Sequence, residues 1–291
     1  MSTYARPTSL DDALALLSED GGAPFGGGTD LAGQADRGIR MPAMLVDLCD
    51  AGLGTIDEAN GGIRVGATVT LAELAASPLV APYAAVARAA SLAASPLLRN
   101  TGTVGGNLCQ HTRCWYYRGE EWHCWLGGGE TCYAQIGDHR RHNLEPGDCI
   151  SAHPSDLAPA LAATAGIVEL RSASGARELP LLDLYRTPTA DNRSLLTLEA
   201  GELVVAVRLP AAPDASAYER LGERAAFSFP LVSVAASRRG SETQLVAGGV
   251  ANIPRALDPD DPLAGLPGNP QTGWKRRALE TLVERAIAAL A

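Results

Sequence analysis

Five of the six cysteines, all five histidines and three of the four tryptophans fall within residues 109–153, a stretch that interrupts an otherwise Ala/Gly-rich chain. The cysteines are Cys109, Cys114, Cys124, Cys132 and Cys149, enough for four thiolate ligands with one to spare. A segment this rich in soft ligands points to organisation by a metal rather than by a hydrocarbon core. His111, His123, His139, His142 and His153 also supply imidazoles for a Cys/His zinc site, so spacing alone leaves zinc open beside iron–sulfur. Disulfides are the third reading, although bunched cysteines differ from the spread frame of small secreted proteins.

At 291 residues the chain is long enough for two domains, and 46% hydrophobic content suffices for ordinary cores. A formal net charge of -9, with no Lys/Arg-rich run to neutralise a row of phosphates, argues against nucleic acid as a partner. The first residues lack the basic start and apolar stretch of an export signal, and no later run has the length of a membrane span. A cytoplasmic location is expected, with periplasmic export open through a partner's twin-Arg signal.

Periodicity predicts a helix over 9–19 capped by Ser9, a strand running into Gly26, and strands over 44–48 and 63–67. Helices are expected over 70–76, 82–94 and 157–163, the last opened by Ser155 and Asp156, followed by strands over 167–172 and 203–209. Beyond these the pattern predicts a strand near 218–222, a helix-like or mixed run over 231–237, a strand over 244–251 and an amphipathic helix over 274–290. The proline-rich stretch 254–273 reads as a surface loop, and Cys49 as a buried structural thiol. Pro188, Thr189, Asp191 and Asn192 break the pattern and mark a domain boundary between Tyr185 and Asn192.

Two glycine clusters bear on chemistry. In Gly26-Gly27-Gly28-Thr29-Asp30 the absence of side chains lets backbone N–H groups approach an anion, although an isolated triplet is equally a turn with positive φ. It is neither a G-x-G-x-x-G fingerprint nor a P-loop, and no capped helix is expected to start there. The second cluster, Asn100-Thr101-Gly102-Thr103-Val104-Gly105-Gly106-Asn107, directly precedes the cysteines. Two such loops can grip a pyrophosphate from both sides.

These loops, followed by His-Pro-Ser-Asp-Leu-Ala-Pro-Ala-Leu over 153–161 and later by Phe-Pro-Leu-Val-Ser-Val-Ala and Gly-Gly-Val-Ala, resemble the FAD-binding subunits of the xanthine dehydrogenase (molybdenum hydroxylase) family. The resemblance covers essentially the whole chain. It implies an α+β fold: an FAD-binding domain of the vanillyl-alcohol oxidase/PCMH type in two subdomains over 1–186, then a small α/β domain like the CO dehydrogenase flavoprotein C-terminal domain over 187–291. It further implies that Phe25, Gly26, Gly27, Gly28, Thr29, Asp30 and Leu31 cradle the FAD pyrophosphate, closed over by Thr103, Gly105, Gly106 and Asn107. Asp156, Val204 and Arg220 fall on further FAD-contacting positions, Arg220 where a Lys is common.

Most subunits of that family lack the insertion spanning about 109–149. An insertion with a 4Fe-4S cluster marks the branch that holds the FAD subunits of bacterial periplasmic aldehyde oxidoreductases and the β subunits of 4-hydroxybenzoyl-CoA reductases, and the run from Asn107 to Arg118 resembles the former. The resemblance assigns Cys114, Cys124, Cys132 and Cys149 as cluster ligands and leaves Cys109 as the spare. Trp115, Trp122 and Trp125 would shield the cluster or pack a subunit contact. The implied function is electron transfer between FAD, a large molybdenum-cofactor subunit, a small 2Fe-2S subunit and an external acceptor or donor. Two rival readings are a self-contained FAD oxidase, for which no convincing acid/base set is visible, and a zinc-stabilised non-enzymatic scaffold.

Overall fold

The computed structural model describes residues 2–291. The chain opens with β1 (Thr3–Ala5), α1 (Leu10–Leu17), β2 (Gly22–Phe25), α2 (Leu31–Asp36) and β3 (Met44–Asp47). Strands β1 and β2 both pair in parallel with β3, giving the order β1-β3-β2. Helix α1 starts at Ser9, whose hydroxyl accepts the Asp12 N–H, while Asp11 and Asp12 face the positive end of the helix dipole. Its apolar side, Ala13, Leu14 and Leu17, buries against Val46 and Leu48.

A second unit contains β4 (Ile56–Ala59), β5 (Gly62–Gly66), α3 (Leu71–Ala76), α4 (Ala84–Leu92), α5 (Pro96–Arg99) and α6 (Val104–Leu108). The cysteine segment follows, with only the one-turn helices α7 (Trp115–Arg118) and α8 (Tyr133–Ile136) and a 3-10 turn, Trp125–Gly127, between them. The chain then returns through α9 (Leu157–Ala163), β6 (Ile167–Ser172), β7 (Gly175–Pro180) and β8 (Leu203–Leu209). The antiparallel sheet runs β4-β5-β8-β6-β7. Strand β8 therefore lies in the middle of this sheet, paired with β5 and β6, although the expected boundary at Tyr185–Asn192 assigns it to the following domain. The break read from the pattern is a surface excursion, and the second sheet extends to Leu209.

The last unit is the antiparallel sheet β9 (Ala215–Gly222), β10 (Pro230–Arg239), β11 (Glu242–Gly248) and β12 (Arg255–Leu257), with α10 (Gly273–Ala288) packed on it. The run 231–237 is thus a strand and not helix-like. Val232, Val234 and Ala236 pack under Leu279, Leu282 and Val283 of α10. On the other face Ala235 joins the core with α9, and Ser237 Oγ donates to Ala163 O. A strand covered on both faces loses its polar alternation, and its apolar run resembles a buried helix. The proline-rich stretch also holds one regular piece, β12, which pairs with β11 at the sheet edge. No helix among the described residues is long and apolar enough to cross a membrane.

The joint between the last two units is α9, whose Leu157 and Leu161 are almost fully buried. Leu161→Ala should lower stability by about 2–5 kcal/mol, since the cavity it leaves has rigid walls on several sides. A fall in the thermal midpoint, followed by far-UV circular dichroism, checks this.

Candidate functional site

The two glycine loops meet back to back. A Cβ on Gly27 would lie 1.7 Å from Thr101 O, and one on Gly26 would lie 2.8 Å from Thr103 Oγ1. Gly28 has φ +67°, and a Cβ there would run into the Phe25 ring. Only glycine fits such an approach, so the triplet is more than a turn. None of the main-chain N–H groups of residues 26–31 donates to a protein acceptor among the described residues. The second loop differs. Gly105 N–H donates to Ala67 O, Gly106 N–H to Thr103 Oγ1 and Asn107 N–H to Thr103 O, because Thr103 caps α6. The first loop therefore offers open donors, whereas the second supplies a wall.

Cavities open on both sides of the first loop. One, of about 450 Å³, is lined by Gly26, Thr68, Thr103, Gly105, Gly106 and Val204. The other, of about 540 Å³, is lined by Thr29, Asp30, His153, Phe229 and residues of the cysteine segment. Thr68 Oγ1 and His153 Nε2 are buried with no partner among the described residues, one facing each cavity. Open amides between two large cavities with orphaned polar atoms fit an extended dinucleotide such as FAD held at its pyrophosphate.

Asp30 is occupied by the protein itself. Its carboxylate accepts from Arg113, from Arg118 at 2.8 Å and from the His111 N–H at 2.9 Å, all from the cysteine segment, and from Gln34 at 2.9 Å. Burial pushes its pKa up, but Arg113 and Arg118 outweigh burial and hold it below its usual 3.8. This engagement also explains α2, a helix not expected from the sequence: it begins at Leu31, and Asp30 makes no capping bond because its oxygens face the arginines.

Asp156 and Arg220 form a comparable internal pair. Asp156 accepts from Tyr218 Oη at 2.7 Å and Arg220 at 3.0 Å, and Arg220 also donates to Leu92 O and Ser228 O. Burial raises Asp156 to about 6 against the opposing pull of Arg220 and Tyr218. Capping of α9 falls to Ser155, whose Oγ accepts the Ala158 N–H and donates to Asn107 Oδ1 at 2.6 Å. That last bond closes the neck from which the cysteine segment emerges.

The segment brings four thiols together. Cys114, Cys124, Cys132 and Cys149 all line one narrow pocket, walled by Tyr116 and Tyr133. Cys109 faces the larger flavin-loop cavity instead. Burial pushes the Cys114 thiol up to about 12 and raises Cys124 and Cys149 as well. Such thiols ionise only with a cation beside them. Among the described residues no three Cys, His, Asp or Glu groups converge closely enough for a single ion. His142 Nε2 lies 3.1 Å from Cys114 Sγ, while the buried His153 packs edge-on against Tyr185. Trp115, Trp122, Tyr116 and Tyr133 form an aromatic shell around the thiols. Cys49 is exposed, contrary to the expectation of a buried thiol, because it lies just past the end of β3.

Fold and loops together define an FAD-binding flavoprotein. Residues 1–212 match the family described as "FAD binding domain in molybdopterin dehydrogenase", and the chain belongs to that family as an oxidoreductase FAD subunit of the molybdenum hydroxylase type. It is 36% identical over 268 residues to the aldehyde oxidoreductase FAD-binding subunit PaoB of Escherichia coli (strain K12), covering 89% of this chain and 84% of that protein. It is 28% identical over 276 residues to the nicotine 6-hydroxylase medium subunit of Paenarthrobacter nicotinovorans, covering 92% and 82%. The fold matches the reconstituted CO dehydrogenase from Oligotropha carboxidovorans with a TM-score of 0.75 at 23% identity, over 100% of this chain and 97% of that one.

Asp30→Asn removes the charge that holds Arg113 and Arg118, and should cost about 1–3 kcal/mol and expose the cysteine segment to limited proteolysis. Because the folded pKa is depressed, the stabilisation is complete above 3.8 and is lost as pH falls through the lower folded value. Denaturant melts from neutral to acid pH should show this dependence in the wild type and a smaller one in the variant.

Proposed function

We propose that this chain is the FAD- and 4Fe-4S-containing electron-transfer subunit of a heterotrimeric molybdenum hydroxylase acting on aldehydes or on aromatic or heterocyclic substrates. It works between a large molybdenum-cofactor subunit, a small 2Fe-2S subunit and an external electron acceptor or donor. A cytoplasmic location, or periplasmic export with a partner, belongs to the same proposal. Support comes from relatives named as an aldehyde oxidoreductase FAD-binding subunit and as medium subunits or chains.

The observation that supports the cluster is the convergence of four thiols on one narrow pocket. A four-iron cube needs ligands spaced around a volume, whereas zinc needs them converging on a point. FAD, when bound, supplies the redox chemistry, and the chain supplies position and electrostatics. The first loop offers N–H donors to the pyrophosphate, Thr103, Gly105 and Gly106 close the wall opposite, and Val204 adds apolar surface. Phe25 and Leu31 brace that loop at its two ends, while Asp30, Asn107, Asp156 and Arg220 hold the walls through one another and through neighbouring backbone.

Anaerobic purification followed by counts of flavin, iron, acid-labile sulfide and zinc tests this. The 4Fe-4S assignment implies about four irons and four sulfides for each FAD, and zinc without sulfide would sink it. Cys132→Ser should lose iron, and Cys109→Ser should keep it; the reverse pattern would show that a different four cysteines bind.

A further inference from the structure

His111 stands where the cavities meet. It lines the flavin-loop cavity together with Gly26, Gly106 and Cys109. It also lines a smaller cavity of about 100 Å³ beside Tyr117 and Leu126, and those two residues in turn line the thiol pocket. The partition between the proposed flavin and cluster sites is therefore a pair of side chains. Tyr117 Oη lies 3.0 Å from His111 Nδ1, and the two rings are stacked at 5.8 Å with an interplanar angle of 8°.

The main chain around His111 is fixed to the glycine loop. Its N–H donates to Asp30 Oδ2 at 2.9 Å, and its carbonyl accepts from Arg118 at 3.1 Å while Arg118 also holds Asp30. A ring so placed keeps its position relative to the loop that meets the flavin. Hydrogen-bond accounting then sets the tautomer. The Tyr117 hydroxyl proton has no other acceptor among the described residues, so Tyr117 donates to Nδ1 and the ring proton sits on Nε2. Nε2 takes no protein partner among the described residues. Burial, with Arg40 nearby, lowers the His111 pKa to about 4, so the ring is neutral at pH 7 and remains a single-proton donor.

We propose that His111, with its tautomer set by Tyr117 and its backbone set by Asp30, is a positioning residue that presents an Nε2–H donor to the bound flavin on the side facing the cysteine cavity. This inference rests on FAD binding by the chain and not on the cluster assignment. Reduced flavin carries more negative charge on its ring acceptors than oxidised flavin, so a donor there favours the reduced form. Only this chain's hydrogen bond is at issue; no proton or electron moves to His111.

The test is spectroelectrochemical titration of the FAD bands in the purified wild type and in His111→Leu, His111→Gln and Tyr117→Phe variants, with FAD counted in each. Losing one neutral hydrogen bond should weaken binding of reduced relative to oxidised FAD about fivefold. The midpoint potential of His111→Leu should accordingly move to a more negative value, and His111→Gln, which keeps an N–H at similar reach, should move back toward wild type. Tyr117→Phe keeps the stacked ring but frees the tautomer, and should shift the potential in the same direction as His111→Leu. If His111→Leu fails to hold FAD, Tyr117→Phe decides: a negative shift supports the proposal and an unchanged potential overturns it. Fully loaded variants that share the wild-type potential also overturn it. A wild-type chain that binds no FAD instead overturns the reading on which it rests.

Discussion

One carboxylate joins the two halves of the site. Asp30 ends the glycine loop, yet its oxygens take two guanidinium groups and a backbone N–H from the cysteine segment. That segment's own apolar cluster is small, consisting of Tyr116, Cys124, Ala134 and Ile150 with a few partly buried neighbours. Two cations on one largely buried acid are worth more than surface pairs because removing the acid strands both charges. The geometry of His111, and through it of the wall between the cavities, follows from this contact.

The segment is held at further points as well, among them its base and its far side. At its base Ser155 bonds to Asn107, so the chain leaves after α6 and returns before α9 through a closed neck. On its far side Lys275 of α10 reaches the carbonyls of Arg141, His142 and Gly249 and is completely buried with no carboxylate partner. Burial lowers its pKa to about 7, and three carbonyl acceptors satisfy its three donors. The cysteine segment is thus tied to the glycine loop, to the helix beside it and to the C-terminal unit.

Local signals in the sequence were reliable where a single rule decides. The helix over 157–163 and the strands over 167–172 and 203–209 occur as expected, since caps and alternation are local properties. Strand β10 reads as helix-like because both of its faces are covered, which is a tertiary fact. The position of β8 inside the second sheet depends on pairing with residues more than a hundred positions earlier, so a break in pattern near Asn192 could not reveal it. The site divides in the same way. The close packing that requires glycine in the first loop, and the pocket that Cys114, Cys124, Cys132 and Cys149 share, involve residues whose types the sequence displays openly. The partners of Asp30, Asp156 and Arg220 lie far away in sequence, so residues read as cofactor contacts proved to have protein partners that pattern alone does not disclose. His111 carried one signal, its place in the run after Cys109; what distinguishes it from the other histidines is its bond to Tyr117 Oη beside the flavin-loop cavity.

If the proposed function holds, Cys114, Cys124, Cys132 and Cys149 carry one iron–sulfur cube beside the flavin loops. Anomalous diffraction from crystals of the anaerobically purified protein, recorded at the iron and zinc edges, tests it most directly. The expected result is iron density of a four-iron centre inside the cavity ringed by Cys114, Cys124, Cys132 and Cys149, with none at Cys109. A single zinc peak in that cavity, or an iron centre ligated by Cys109, would contradict the account.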